Sequence, residues 1–181
     1  MSHFDIAQMR RFSGLTEVEA ALLSTMGPML EKHANQLITA FYNNLGDQVT
    51  THELLDAKPG RREALRHHLR AWLLSLATGH YDTDYMERRY LIGKRHVEVG
   101  LEPRWVVGAM SFCRGQIMPM IEADYGSSPD KLARFLALDK VMDLDLNIML
   151  QSYDDRRMDL FLETTGFSRE LFESMIAAAG V

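Results

Sequence analysis

Residues 91–105 read LIGKRHVEVGLEPRW. Ile92, His96 and Val99 follow one another at spacings of four and three, which on an α-helix puts them on one face. A histidine therefore stands in line with apolar side chains, and Gly100 ends the helix just beyond it. Pro103 lacks a backbone N–H and has a fixed φ, which suits the first turn of a new helix. Two helices thus meet across a short Gly-Leu-x-Pro break. Upstream, the same face extends back through Tyr85 to a start near Asp84, after the turn HYDTD.

Apolar residues recur at three and four positions on both sides of this stretch, so the chain reads as all-α. A short helix is predicted in HFDIAQMRRF. A second follows in SGLTEVEAALLSTM, with Thr16 as N-cap and Glu19 completing a capping box. Gly27 and Pro28 separate it from a helix that carries Leu30, Ala34, Leu37, Ile38, Phe41, Tyr42 and Leu45 on one broad face up to Gly46. Residues 47–60 read as irregular or briefly helical. From Arg61 to Thr78 a further helix turns Leu65, His68, Leu69, Trp72, Leu73 and Leu76 inward, with His67 off that face and Gly79 as a C-terminal cap. Two long helices, about 103–125 and 129–158, are joined by the reversal YGSSPD and form an antiparallel hairpin. Apolar residues from Leu132 to Leu150 cover more than one stripe of the second, so it is either central or carries an interface. After DDRRMD, Gly166 interrupts the pattern and a short amphipathic helix closes the chain. The division is a body over 1–158 and a linker or capping helix over 159–181, in which TTGFSRELFESMI reads more like a folded cap than a coiled coil.

Composition narrows the function. At 181 residues and 46% hydrophobic the chain suits one compact domain. Its net charge of -5, with both signs interspersed, gives no basic footprint for nucleic acid. The N-terminus lacks the apolar run of a signal peptide and no stretch is long enough to span a bilayer, which predicts a cytoplasmic protein without membrane partners. The single cysteine, Cys113, reads as a packing residue, and the 12 methionines as core filler.

His96 has two readings: a hydrogen-bonded structural residue, or an inward imidazole offering a lone pair to a metal such as haem iron. Clustered metal sites lack support. HELLD at 52–56 misses the second histidine of a zincin motif, and neither His-x3-His nor Glu-x-x-His spacing occurs. No Gly-x-Ser-x-Gly elbow and no glycine-rich phosphate loop is present. Tyr42 likewise is either an aromatic core residue or a hydroxyl donor to a ligand held opposite the histidine.

At this point the residues resemble a known family, the haem-binding sensor globins of the globin-coupled sensors and protoglobins. The likeness runs over about residues 10–157. Its most specific part is RRYLIGKRHVEVGLEPRWVVGAM, where Ile92, Gly93, His96, Gly100, Leu101, Pro103 and Trp105 match the family's Ile-Gly-x-x-His-x-x-x-Gly-Leu-x-Pro-x-Trp. ITAFYNNL and LRHHLRAWLLSLATGHYD resemble the segments bearing the distal tyrosine and the family tryptophan.

The resemblance implies a globin-like helical sandwich with an extra N-terminal helix, dimerising through its last two long helices. It implies haem b (iron protoporphyrin IX) as cofactor, with His96 as proximal iron ligand and Tyr42 as distal donor to O2. Leu65 takes the place where oxygen-carrying globins have a distal histidine. Phe41, Leu69, Trp72, Tyr85, Ile92, Arg95, Val99 and Trp105 are the expected cofactor contacts. His68 departs from the small or hydroxyl residue usual there, and its options are the ligand, the iron, a propionate or solvent. The implied function is a gas sensor for O2, or for CO or NO, that signals through its dimer helices to an output domain or partner and is not itself an enzyme. Two rival readings are a haem enzyme, such as a nitric oxide dioxygenase or peroxidase-like globin, and a cofactor-free helical dimerisation module.

Overall fold

The computed structural model describes residues 5–46 and 60–180. Among them are eight α-helices and no strand: α1 (Ile6–Ser13), α2 (Glu17–Ser24), α3 (Gly27–Gly46), α4 (Arg61–Ser75), α5 (Thr83–Glu98), α6 (Pro103–Tyr125), α7 (Lys131–Thr165) and α8 (Arg169–Ala178). The expectation for 47–60 lies outside the described residues apart from Gly60.

Local chemistry sets most boundaries. Asp5 caps α1 by accepting from the N–H groups of Ala7 and Gln8, and Thr16 with Glu19 forms the expected capping box on α2. The Asp82 carboxylate accepts from Tyr85 N at 3.0 Å and starts α5. Pro103 opens α6, which continues through Pro119. Two ends differ from the sequence reading. Helix α4 stops at Ser75 rather than Thr78, because Leu76, Ala77 and Thr78 each donate three residues back instead of four, tightening the chain into a turn. Helix α7 runs seven residues past 158 to Thr165, where Gly166 adopts a left-handed conformation.

Helix α7 is central, packing against α1, α2, α5 and α6, while α3 packs against α4 and α6. Its apolar excess is explained in large part by this position: Leu138, Val141, Met142, Leu144, Ile148, Met149 and Tyr153 are all buried. Each such side chain contributes roughly 1.5–3 kcal/mol when removed from water. Lys140 ties α7 to the α1–α2 junction through the Gly14 carbonyl at 2.8 Å and Glu19 at 2.6 Å. Some apolar surface remains exposed on the hairpin, notably Leu132 (65%) and Leu136 (44%) on α7, with Val107 and Met118 on α6.

The tightest helix contact sets the position of α5. A Cβ built on Gly93 would lie 1.8 Å from Ser152 Oγ and 2.7 Å from the Met149 carbonyl oxygen, so only glycine permits this approach. Arg89 meets Asp145 and, one turn on, Gly93 meets Met149, which shows that α5 and α7 run in the same sense.

Candidate functional site

His96 lies on the last turn of α5, and the chain after it is held firmly. Gly100 has φ 72°, its N–H donates to the Val97 carbonyl at 2.9 Å, and the Leu101 N–H donates to the His96 carbonyl at 2.9 Å. This pattern closes a helix C-terminus and satisfies its last carbonyls. Tyr153 of α7 then donates its hydroxyl to the Leu101 carbonyl at 2.7 Å. The Gly-Leu-x-Pro break is therefore a fixed corner that seats the end of α5 against α7.

The imidazole itself is half-buried, and its Nδ1 is fully buried with no hydrogen-bond partner among the described residues. Burial lowers its pKa below the usual histidine value, so the ring is neutral at physiological pH and keeps a nitrogen lone pair. A buried orphan nitrogen costs stability unless something satisfies it. Among the described residues no group of three or more His, Cys, Asp or Glu side chains converges to hold a metal ion. His96 thus presents a neutral imidazole apart from any cluster of metal-binding side chains among the described residues. A second orphan, Trp105 Nε1, is buried in the first turn of α6 without an acceptor among the described residues, and Arg104 lies over the indole at 5.7 Å.

Tyr42 projects from α3 and is 8% exposed, with Phe41 edge-on at 5.4 Å and Arg66 of α4 at 5.7 Å from its ring. Burial pushes its pKa up to about 12, against a smaller lowering by Arg66, and no hydrogen bond to a described residue engages the hydroxyl. The phenol stays protonated, and among the described residues it has no acceptor.

The other expected site residues fall into three groups. Phe41, Leu65, Leu69, Ile92 and Trp105 are half-buried. By contrast Val99 and Arg95 are exposed, the latter paired with Glu98 at 2.7 Å. His68 is exposed rather than inward, its ring 6.4 Å from that of His67. It lies about 60° round α4 from Leu65, at the rim of the apolar stripe. Trp72 and Tyr85 both have their polar atoms engaged by one buried carboxylate, Asp145 of α7: Trp72 Nε1 donates at 2.9 Å and Tyr85 Oη at 2.5 Å. Arg89 adds an ion pair at 2.7 Å and a hydrogen bond to Ser75. Sequence reasoning missed Asp145 and Arg89, although an acid flanked by Leu144 and Leu146, at helical spacing from Val141, Ile148 and Met149, was a visible signal.

Fold and site together define a globin-type domain: a helical bundle offering one inward neutral imidazole on the helix before its terminal hairpin. The Protoglobin family model matches residues 2–159, and the chain belongs to that family. It is 32% identical over 160 residues to the heme-based aerotactic transducer HemAT of Halobacterium salinarum, a match covering 83% of this chain and 33% of that protein. The chain thus corresponds to about a third of that relative's length. Among solved structures, the globin domain of the Geobacter sulfurreducens globin-coupled sensor superposes with TM-score 0.78 at 28% identity, covering 83% of this chain and 98% of that one. The ferric globin domain of E. coli DosC has the same fold, with TM-score 0.68 at 17% identity over 80% of this chain and 99% of that one. Among the described residues no helix is long and apolar enough to cross a membrane.

Proposed function

We propose that this chain binds haem b through His96 and serves as a gas sensor, with O2 as its ligand. The observation that carries the reading is a neutral His96 imidazole at a fixed helix end whose ring no described residue engages by a hydrogen bond or ion pair, its Nδ1 buried. Two relatives named above support it, a heme-based aerotactic transducer and the globin domain of a globin-coupled sensor. Haem held by His96 would supply an iron able to bind a diatomic gas reversibly.

The residues of this chain then have separate tasks. His96 gives its lone pair, and the Gly100 corner with the Tyr153–Leu101 hydrogen bond fixes where that ring stands. Phe41, Leu65, Leu69 and Ile92 provide half-buried apolar surface that excludes water from a flat aromatic cofactor. Tyr42 offers a protonated hydroxyl to a ligand atom carrying partial negative charge, which favours O2 over CO. The exposed apolar residues Leu132, Leu136, Val107 and Met118 pair the α6–α7 hairpin with that of a second copy, and the state of the site passes along it to an output domain or partner.

The test is spectroscopic. Purified protein offered haem should show a Soret band whose position shifts when the reduced sample meets O2, and His96→Ala should lose or displace the band. A wild-type protein that stays colourless in the presence of haem overturns the reading.

A further inference from the structure

The side chain of Asp145 is wholly buried and accepts from three residues on two helices. Trp72 of α4 donates to Oδ2 at 2.9 Å, Arg89 of α5 donates to the same oxygen at 2.7 Å, and Tyr85 of α5 donates to Oδ1 at 2.5 Å. Arg89 then reaches Ser75 at the end of α4 through its second arm at 2.5 Å and lies 4.2 Å over the Tyr85 ring. One carboxylate thus joins three helices, one of which carries His96.

Such a network is an expensive way to obtain stability. A buried ion pair loses most of its Coulombic gain to desolvation, and apolar side chains of similar volume do as well or better. What it gives is direction, because each donor must meet one oxygen at one angle. Burial pushes the Asp145 carboxyl up while Arg89, Tyr85 and Trp72 pull the other way. For Arg89, burial opposes the charge and Asp145 with Tyr85 together more than offset it, so the guanidinium remains protonated. Arg89 stands seven residues before His96 on the same helix, about 10 Å along a rigid rod.

We propose that Asp145 is a positioning residue, locking the His96 helix to Trp72 of α4 and to α7, so that a displacement of α5 on gas binding reaches α7 through the Arg89–Asp145 pair. This rests on the reading of His96 as the haem ligand.

The experiment is hydrogen exchange on the haem-loaded full chain, with and without carbon monoxide as probe, read over α7 residues 141–149. In the wild-type protein the probe should change exchange there by about 5-fold or more. Arg89→Gln should reduce that change to less than about 2-fold at comparable Soret absorbance. The double variant Arg89→Gln/Asp145→Asn, which removes both buried charges together, carries the test if the single variant does not fold. A network of merely structural value would lower the melting temperature and leave the probe-dependent change intact, and that result overturns the proposal, as does a wild-type protein without the change. Failure of the haem reading is distinguishable, because it shows beforehand as a missing Soret band.

Discussion

Gly93 lies so close to Ser152 that a side-chain carbon on the glycine would fall 1.8 Å from the serine oxygen. That contact sets the distance between α5 and α7 three residues before His96, so the seat of the imidazole depends on a hydrogen atom occupying the place of a methyl group. Gly93→Ala should destabilise the fold by about 1–3 kcal/mol, as overpacking does. For a chain of this length that lowers the melting temperature by roughly 2–12 °C. Adding Ser152→Ala should recover only part of the loss, because the Met149 carbonyl oxygen still lies 2.7 Å from the new carbon. Thermal melts followed by helicity decide it, and an unchanged melting temperature would refute the close approach.

Tyr42→Phe removes a hydroxyl that no described residue engages, so the fold should tolerate it. A hydrogen bond to a partly charged acceptor is worth roughly 1.5–3 kcal/mol, so O2 should leave the variant on the order of 10-fold faster or more. CO dissociation should change little. Stopped-flow measurement of both gases tests this, and equal effects on the two would remove Tyr42 from the role.

Burial raises the pKa of Tyr42 and of Tyr153 to about 12, and raises those of Tyr81, Tyr85 and Tyr90 further. An unfolded tyrosine titrates near about 10. The folded state therefore holds these protons more tightly, and their contribution is intact below about pH 10 and lost as pH rises towards 12. Phenolate absorbance should rise together with loss of helicity in that window. Full ionisation of these tyrosines below it, with helices intact, would contradict the burial described.

Leu132 and Leu136 are one turn apart on α7 and remain exposed. If they face a second copy, Leu132→Glu/Leu136→Glu should convert a dimer to a monomer in sedimentation velocity without changing helicity. A wild-type protein that sediments as a monomer at all concentrations would argue against pairing through this hairpin.

Much of this architecture is written locally. The capping box of Thr16 and Glu19, the Pro103 start and the Gly100 stop each involve residues within a single turn, and all three stand where the sequence places them. The face that carries Ile92 and His96 follows from spacing alone, because helical geometry allows no other arrangement. Where a helix ends gradually the sequence was less informative: the tightening at Leu76 costs little and leaves no strong residue signal.

Contacts between distant parts of the chain were decided by the tertiary structure. Asp145 gathers partners 56, 60 and 73 positions away, and nothing in a local pattern names which donors will meet an acid inside an apolar run. His68 is exposed although the sequence reading places it inward, because a position at the edge of a stripe is compatible with either side and periodicity alone does not choose between them. Gly93 announces itself only as a residue without a side chain until α7 is laid against it. Periodicity specifies which surface of a helix is apolar; the depth and register at which two such surfaces meet depend on the shapes of both.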